Sequence, residues 1–109
     1  MQGRAEVNAG VCGHRTTITA ETGDGRAVTF VVETTCENIT RLTELLEEAG
    51  AVDAYQAISP RAPANLVLDA GRAALCCPDC IVPAAALKAM RVAAQLALVA
   101  DVHIALVKE

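Results

Sequence analysis

Five cysteines are the residues of this chain best suited to chemistry. Cys76, Cys77 and Cys80 crowd into the box CCPDCIVP, while Cys12 and Cys36 lie far upstream. The two-residue spacing of Cys77-Pro78-Asp79-Cys80 lets both sulfurs reach one ion. Zinc takes four such donors at ~2.3 Å, and the same soft thiolates hold iron–sulfur clusters. A lone CxxC is therefore half a site. Cys76 is an alternate to Cys77, because Cys76 and Cys80 at three-residue spacing are an equally open ligand choice.

Two other readings compete with a metal. Cys77 and Cys80 could cycle between dithiol and disulfide. In thioredoxin-like proteins, however, the motif opens a helix that continues through the second cysteine. Here Pro83 starts the next helix three residues later, and no thioredoxin-like βαβ unit precedes it. The third reading is a structural or oligomerisation module, in which buried cysteines act as small hydrophobes. Asp79 reads as a turn residue, and His103, within an apolar segment, reads as structural. No P-loop, GxGxxG, HExxH or nucleophile elbow is present.

The elements that must position the thiols follow from pattern. TTITAE and RAVTFVVET, around TGDGR, predict a β-hairpin over residues 14–36. A three-residue Gly23-Asp24-Gly25 loop sets Ile18 opposite Phe30, Ala20 opposite Val28 and Arg15 opposite Glu33, with one face apolar. Extended to the open end, that register sets Cys12 opposite Cys36, with Cβ atoms ~4.5–5.5 Å apart. His14 would be one pair inward and on the same face, an alternate ligand. A helix is expected over 38–49, with Asn38 or Thr35 as its cap, Ile39, Leu42, Leu45, Leu46 and Ala49 inward, and Gly50 as the stop. Cys36 then sits at a helix N-terminus, where the dipole favours thiolate. Expected metal ligands are thus Cys12, Cys36, Cys77 and Cys80, with Cys76 and His14 as alternates.

Residues 52–58 predict one or two helical turns. Asn65 is expected to cap a helix that runs into the cysteine box and stops at Pro78. Pro83 opens an Ala-rich helix over 83–98, whose polar residues form one narrow stripe, Lys88, Arg91 and Gln95. Such a helix is covered on most sides, either centrally or by a second subunit as a homo-oligomer contact. DVHIALVK, residues 101–108, is expected to complete the sheet. The fold class is α+β in a single domain over 1–109: an N-terminal hairpin, two to four helices and a C-terminal strand.

Composition excludes several functions. Of the 109 residues, 53% are hydrophobic and 20% charged, a globular balance, with one Phe, one Tyr and no Trp. Scattered basic residues and a net charge of −4 leave neither the basic stripe nor the stacking aromatics of a nucleic-acid surface. The opening residues show no signal-peptide core, and the run VAAQLALVA is too short to span a bilayer. A cytoplasmic location is expected, where clustered cysteines more often bind metal or react than form disulfides.

Across nearly its whole length the chain resembles a family of small cysteine-containing proteins of uncharacterised function from anaerobic bacteria and methanogenic archaea. AEVNAGVCGHRTTITAE, a hairpin ending in Cys36, the CCPDCIVP box and the tail ALKAMRVAAQLALVADVHIALVK carry the resemblance. Cys12, Cys36, Cys80, Val82 and Pro83 match the family pattern, with Cys76 or Cys77 filling a further cysteine position. Ile81 departs from the Pro that often follows the box cysteine. The resemblance implies an anaerobe-type cytosol in which exposed thiolates and oxygen-sensitive clusters survive.

Overall fold

In the computed structural model, which describes residues 1–109, alternation decides the sheet. Thr16, Ile18, Ala20 and Thr22 turn inward from β2 (Arg15–Thr22), while Arg15, Thr17, Thr19 and Glu21 turn outward. β3 (Ala27–Thr34) pairs antiparallel with it, so the hairpin forms as expected, but its register is two residues away from the expected one. Ile18 faces Val32, Ala20 faces Phe30 and Thr16 faces Thr34. The cause is the turn, which uses more residues than a three-residue loop. Asp24 Oδ1 accepts from the Arg26 and Ala27 amides at 2.9 Å each, and Thr22 Oγ1 accepts from the Gly25 amide at 3.0 Å. Gly25 takes the left-handed φ of 79° that the sequence predicts. A shift of two preserves strand parity, so the apolar face survives and only the pairing changes.

A strand not foreseen, β1 (Gln2–Asn8), pairs antiparallel with β2. Its sequence, QGRAEVN, carries little β-propensity. Its inward residues, Gly3, Ala5 and Val7, are small because a helix presses on them. α1 (Glu37–Ala49) buries Ile39, Leu42 and Leu46 and stops at Gly50, whereas Ala49 is exposed. Residues 52–58 divide between a two-residue strand, β4 (Val52–Asp53), and one helical turn, α2 (Ala54–Ala57). β4 pairs with Ala27 and Val28, giving the sheet order β1-β2-β3-β4. α3 (Leu66–Ala73) is capped by Asn65 as expected: its Oδ1 accepts from the Leu68 amide, and its Nδ2 donates to the Ala57 carbonyl. α4 (Val82–Ala93) lies across β1 and β2, α1 lies against β3, and α3 bridges the two helices. All helices thus cover one face of the sheet. The other face stays wet, with Arg4 and Glu6 paired at 3.0 Å.

The C-terminal half departs most from expectation. α4 ends at Ala93 and not near residue 98, and no C-terminal strand forms. Residues 101–109 have no regular structure and are exposed throughout, His103 included, so its structural role is not realised. Both α3 and α4 end in Schellman turns. Leu75 and Gln95 each take φ 61°, and Cys76 N–H reaches Gly71 O at 3.0 Å as Leu96 N–H reaches Arg91 O at 2.8 Å. α3 therefore stops before Pro78, which lies beyond the turn. A non-glycine residue in this conformation costs about 1 kcal/mol or more. Leu75→Gly is accordingly expected to stabilise the protein by about 1 kcal/mol, read as a higher midpoint in urea unfolding.

The turn also sets an acid response. The Arg26 amide, then that of Ala27, hold the Asp24 carboxyl below its ordinary 3.8. At Asp53 desolvation works upward, but hydrogen bonds from Gln56, Arg26 and Tyr55 outweigh it and its carboxyl is also lowered. Groups with depressed folded pKa values stabilise the fold above about pH 3.8, and that stability is lost as pH falls below it. Thermal midpoints should therefore fall as pH drops from 4 to 2, and Asp24→Asn should flatten part of that decline.

Candidate functional site

The thiols are placed by helix ends. Cys36 is the N-cap of α1, in place of the expected Asn38 or Thr35, with extended φ −92° and ψ 122°. Its amide donates to Thr34 Oγ1 at 3.1 Å, and its carbonyl accepts from the Thr40 amide and hydroxyl. Cys80 stands two residues before the first residue of α4, and the Val82 amide donates toward its sulfur. Half-buried cysteines thus stand at the starts of two helices, Cys36 at the cap of α1 and Cys80 just ahead of α4.

The left-handed Leu75 turns the chain so that Cys76, the next residue, points back at α1. Its Sγ donates to the Asn38 carbonyl at 3.8 Å, joining the cysteine box to the first turn of that helix. Arg41, an exposed residue of α1, reaches over to donate to the Ala74 carbonyl at 3.0 Å and places its positive charge near Cys76. Its role has no sequence signal, because its partner lies 33 residues away. Cys77 and Cys80 form the ends of a tight turn, with Cys80 N–H donating to Cys77 O at 3.0 Å.

Cys36, Cys76 and Cys80 are half-buried and pack on the hydrophobic core, whereas Cys77 and Cys12 are exposed. Burial pushes the Cys76 thiol up, and the charges of Cys80, Cys36 and Cys77 push it further, against a smaller opposing pull from Arg41. Burial likewise raises the Cys80 thiol; the Val82 amide opposes this, while Cys36, Cys77 and Cys12 add to it. None of the five cysteines is in a disulfide.

The Cys12–Cys36 cross-strand pair is not formed. β2 begins only at Arg15, and the two-residue register shift takes Cys36 away from a position opposite Cys12. Cys12 lies instead in the loop between β1 and β2, closed by Gly13 N–H to Gly10 O at 2.9 Å and Ala9 N–H to His14 O at 3.2 Å. His14 Nδ1 is engaged with Thr35 Oγ1 at 2.9 Å, beside Cys36 in sequence. No three His, Cys, Asp or Glu side chains already stand in metal-holding geometry. What the fold assembles is a soft-donor cluster at one end of the helical layer, built from the β1–β2 loop, the start of α1 and the α3–α4 loop.

No helix is long and apolar enough to cross a membrane. No curated protein and no solved structure matches the chain. Residues 3–106, which include the loop of Cys12, both helix-start cysteines and most of the C-terminal tail, match a family of unknown function, DUF6951, and the chain belongs to that family.

Proposed function

We propose that this protein is a small cysteine-ligated metal-binding module that holds zinc or an iron–sulfur centre. Cys36 and Cys80 are the central ligands, Cys76 or Cys77 the third, and Cys12 the fourth, with His14 the alternate for a position at the loop. The observation that carries this reading is the docking of the cysteine box on the start of α1: Cys76 Sγ donates to the Asn38 carbonyl at 3.8 Å, and Cys36, Cys76 and Cys80, from two segments far apart in sequence, pack half-buried on the same core. Clustered thiolates repel one another, and a soft cation among them converts that repulsion into ligation. An all-sulfur donor set fits zinc and iron–sulfur chemistry and not magnesium or calcium, which take oxygen. When bound, zinc would fasten the loops to α1, whereas an iron–sulfur centre would add electron transfer. The residues supply the rest: Val82 N–H donates toward the Cys80 sulfur, and Arg41 offsets charge at Cys76.

Between the two box thiols, burial favours Cys76, which packs on the core while Cys77 is exposed. The same exposure gives the redox reading its one specific support, because an accessible Cys77 and a half-buried Cys80 close one tight turn. Anaerobic purification followed by metal analysis and a visible spectrum separates the readings. Stoichiometric zinc, or iron with sulfide and a charge-transfer band, supports the metal module. Metal-free protein that forms a reversible Cys77–Cys80 disulfide supports the redox protein.

A further inference from the structure

The tail after α4 has a strand's composition and no strand to pair with. Val102, Ile104, Leu106 and Val107 are exposed, Leu106 at 92%, and the family match continues through this segment to residue 106. The sheet has a vacancy of the same length. β4 pairs only Ala27 and Val28, so the outer main-chain edge of β3 is open over the six residues 29–34. The tail offers six residues of strand pattern, 102–107. Beside that edge runs a cavity of about 220 Å³, lined by Thr29, Phe30, Leu46, Glu47, Gly50 and Ala51. Open edges of this kind are templates for another chain.

We propose that the C-terminal segment 102–107 of a second copy of this chain adds to the β3 edge, antiparallel, in line with β4, and that the two copies exchange tails. In this register Val102, Ile104 and Leu106 lie opposite Thr34, Val32 and Phe30, which face the helical layer. Leu106 then enters the cavity of Phe30 and Leu46. His103 comes opposite Glu33 on the wet face, a complementary pair, and Val107 ends beside Thr29, where β4 takes over.

A chain cannot do this to itself. α4 ends at the β2–β3 turn, where the Ala94 carbonyl lies 3.9 Å from a Cβ built on Gly25. Thr34 is at the far end of β3, roughly 30 Å away at about 3.3 Å per residue. Leu96 is still hydrogen-bonded to Arg91, so six links, about 20 Å at full stretch, remain to reach residue 102. The antiparallel register therefore requires a second copy. The contact surface is also distinct from the 82–93 helix, whose apolar stripe is spent on the sheet.

Sedimentation equilibrium of the full chain under reducing conditions, with amide hydrogen exchange, tests this. A dimer is expected, with protected amides in 29–34 and 102–107. Ile104→Pro lies outside the folded body and cannot unfold it; it is expected to weaken the dimer by about tenfold or more and to expose both segments to exchange. Glu33→Lys should also weaken it, with partial recovery on adding His103→Glu. A monomer, with these amides protected or not, overturns the proposal. So does a dimer indifferent to Ile104→Pro, or one that protects the β1 edge in place of 29–34.

Discussion

Cys80→Ser and Cys36→Ser are each expected to abolish stoichiometric metal binding, while Cys77→Ser retains most of it. Cys36 caps α1 and Cys80 stands two residues before α4, and both pack on the core. Serine keeps the size but replaces a soft thiolate with a hydroxyl that zinc and iron–sulfur centres do not use. Loss of one ligand from a structural site removes most of a binding free energy on the order of 10 kcal/mol. Cys77 is exposed, and Cys76 stands ready as the inner alternative, so Cys77→Ser should cost little. Metal-to-protein ratio and visible spectrum, measured on anaerobically purified variants, read the outcome. If Cys77→Ser loses metal and Cys76→Ser keeps it, Cys77 is the third ligand. If all four variants match a metal-free parent, the metal module is wrong.

Gly3→Ala is expected to destabilise the protein by about 3 kcal/mol or more, towards the upper end for overpacking of a core. A Cβ at residue 3 would stand 2.1 Å from the Ala89 carbonyl oxygen and 2.8 Å from the Ala93 nitrogen. Both are backbone atoms of α4, so no side-chain rotation relieves the contact; the helix must leave the sheet. Two controls grade the effect. At Gly71 the added carbon meets Pro83 Cγ at 3.1 Å, a neighbour that can give slightly, so the cost should be smaller. At Gly23 nothing lies within 4 Å, and substitution should be near neutral. Denaturant unfolding of the three variants should rank them in that order. Equal midpoints would show that α4 does not press on β1 as described.

Much of this architecture was legible in local pattern. The hairpin, the stop of α1 at Gly50, the cap at Asn65 and the start of α4 beside Pro83 each depend on a few neighbouring residues whose chemistry is local. What escaped depends on distant partners. β1 carries a weak strand sequence, and its small residues make sense only once α4 is seen to lie on Gly3. The register followed hydrogen bonds that the Asp24 and Thr22 side chains accept from turn amides, which alternation alone does not reveal. The tail has a strand's alternation, but pattern names only the face a strand would bury and not the edge it would join.

For the thiols, sequence by itself determined their number, their clustering in CCPDC, and the placing of Cys36 at a helix start, because these follow from spacing and helix-end chemistry. Tertiary structure decided which sulfurs approach. It removed the direct Cys12–Cys36 pair through the turn, turned Cys76 towards Asn38 through the left-handed Leu75, and brought Arg41 to the box from another helix. The physical reason is that a thiol's ligand chemistry is set by what lies within a few ångströms of it. For residues 33 to 38 positions apart, that is fixed only when helices pack on a sheet.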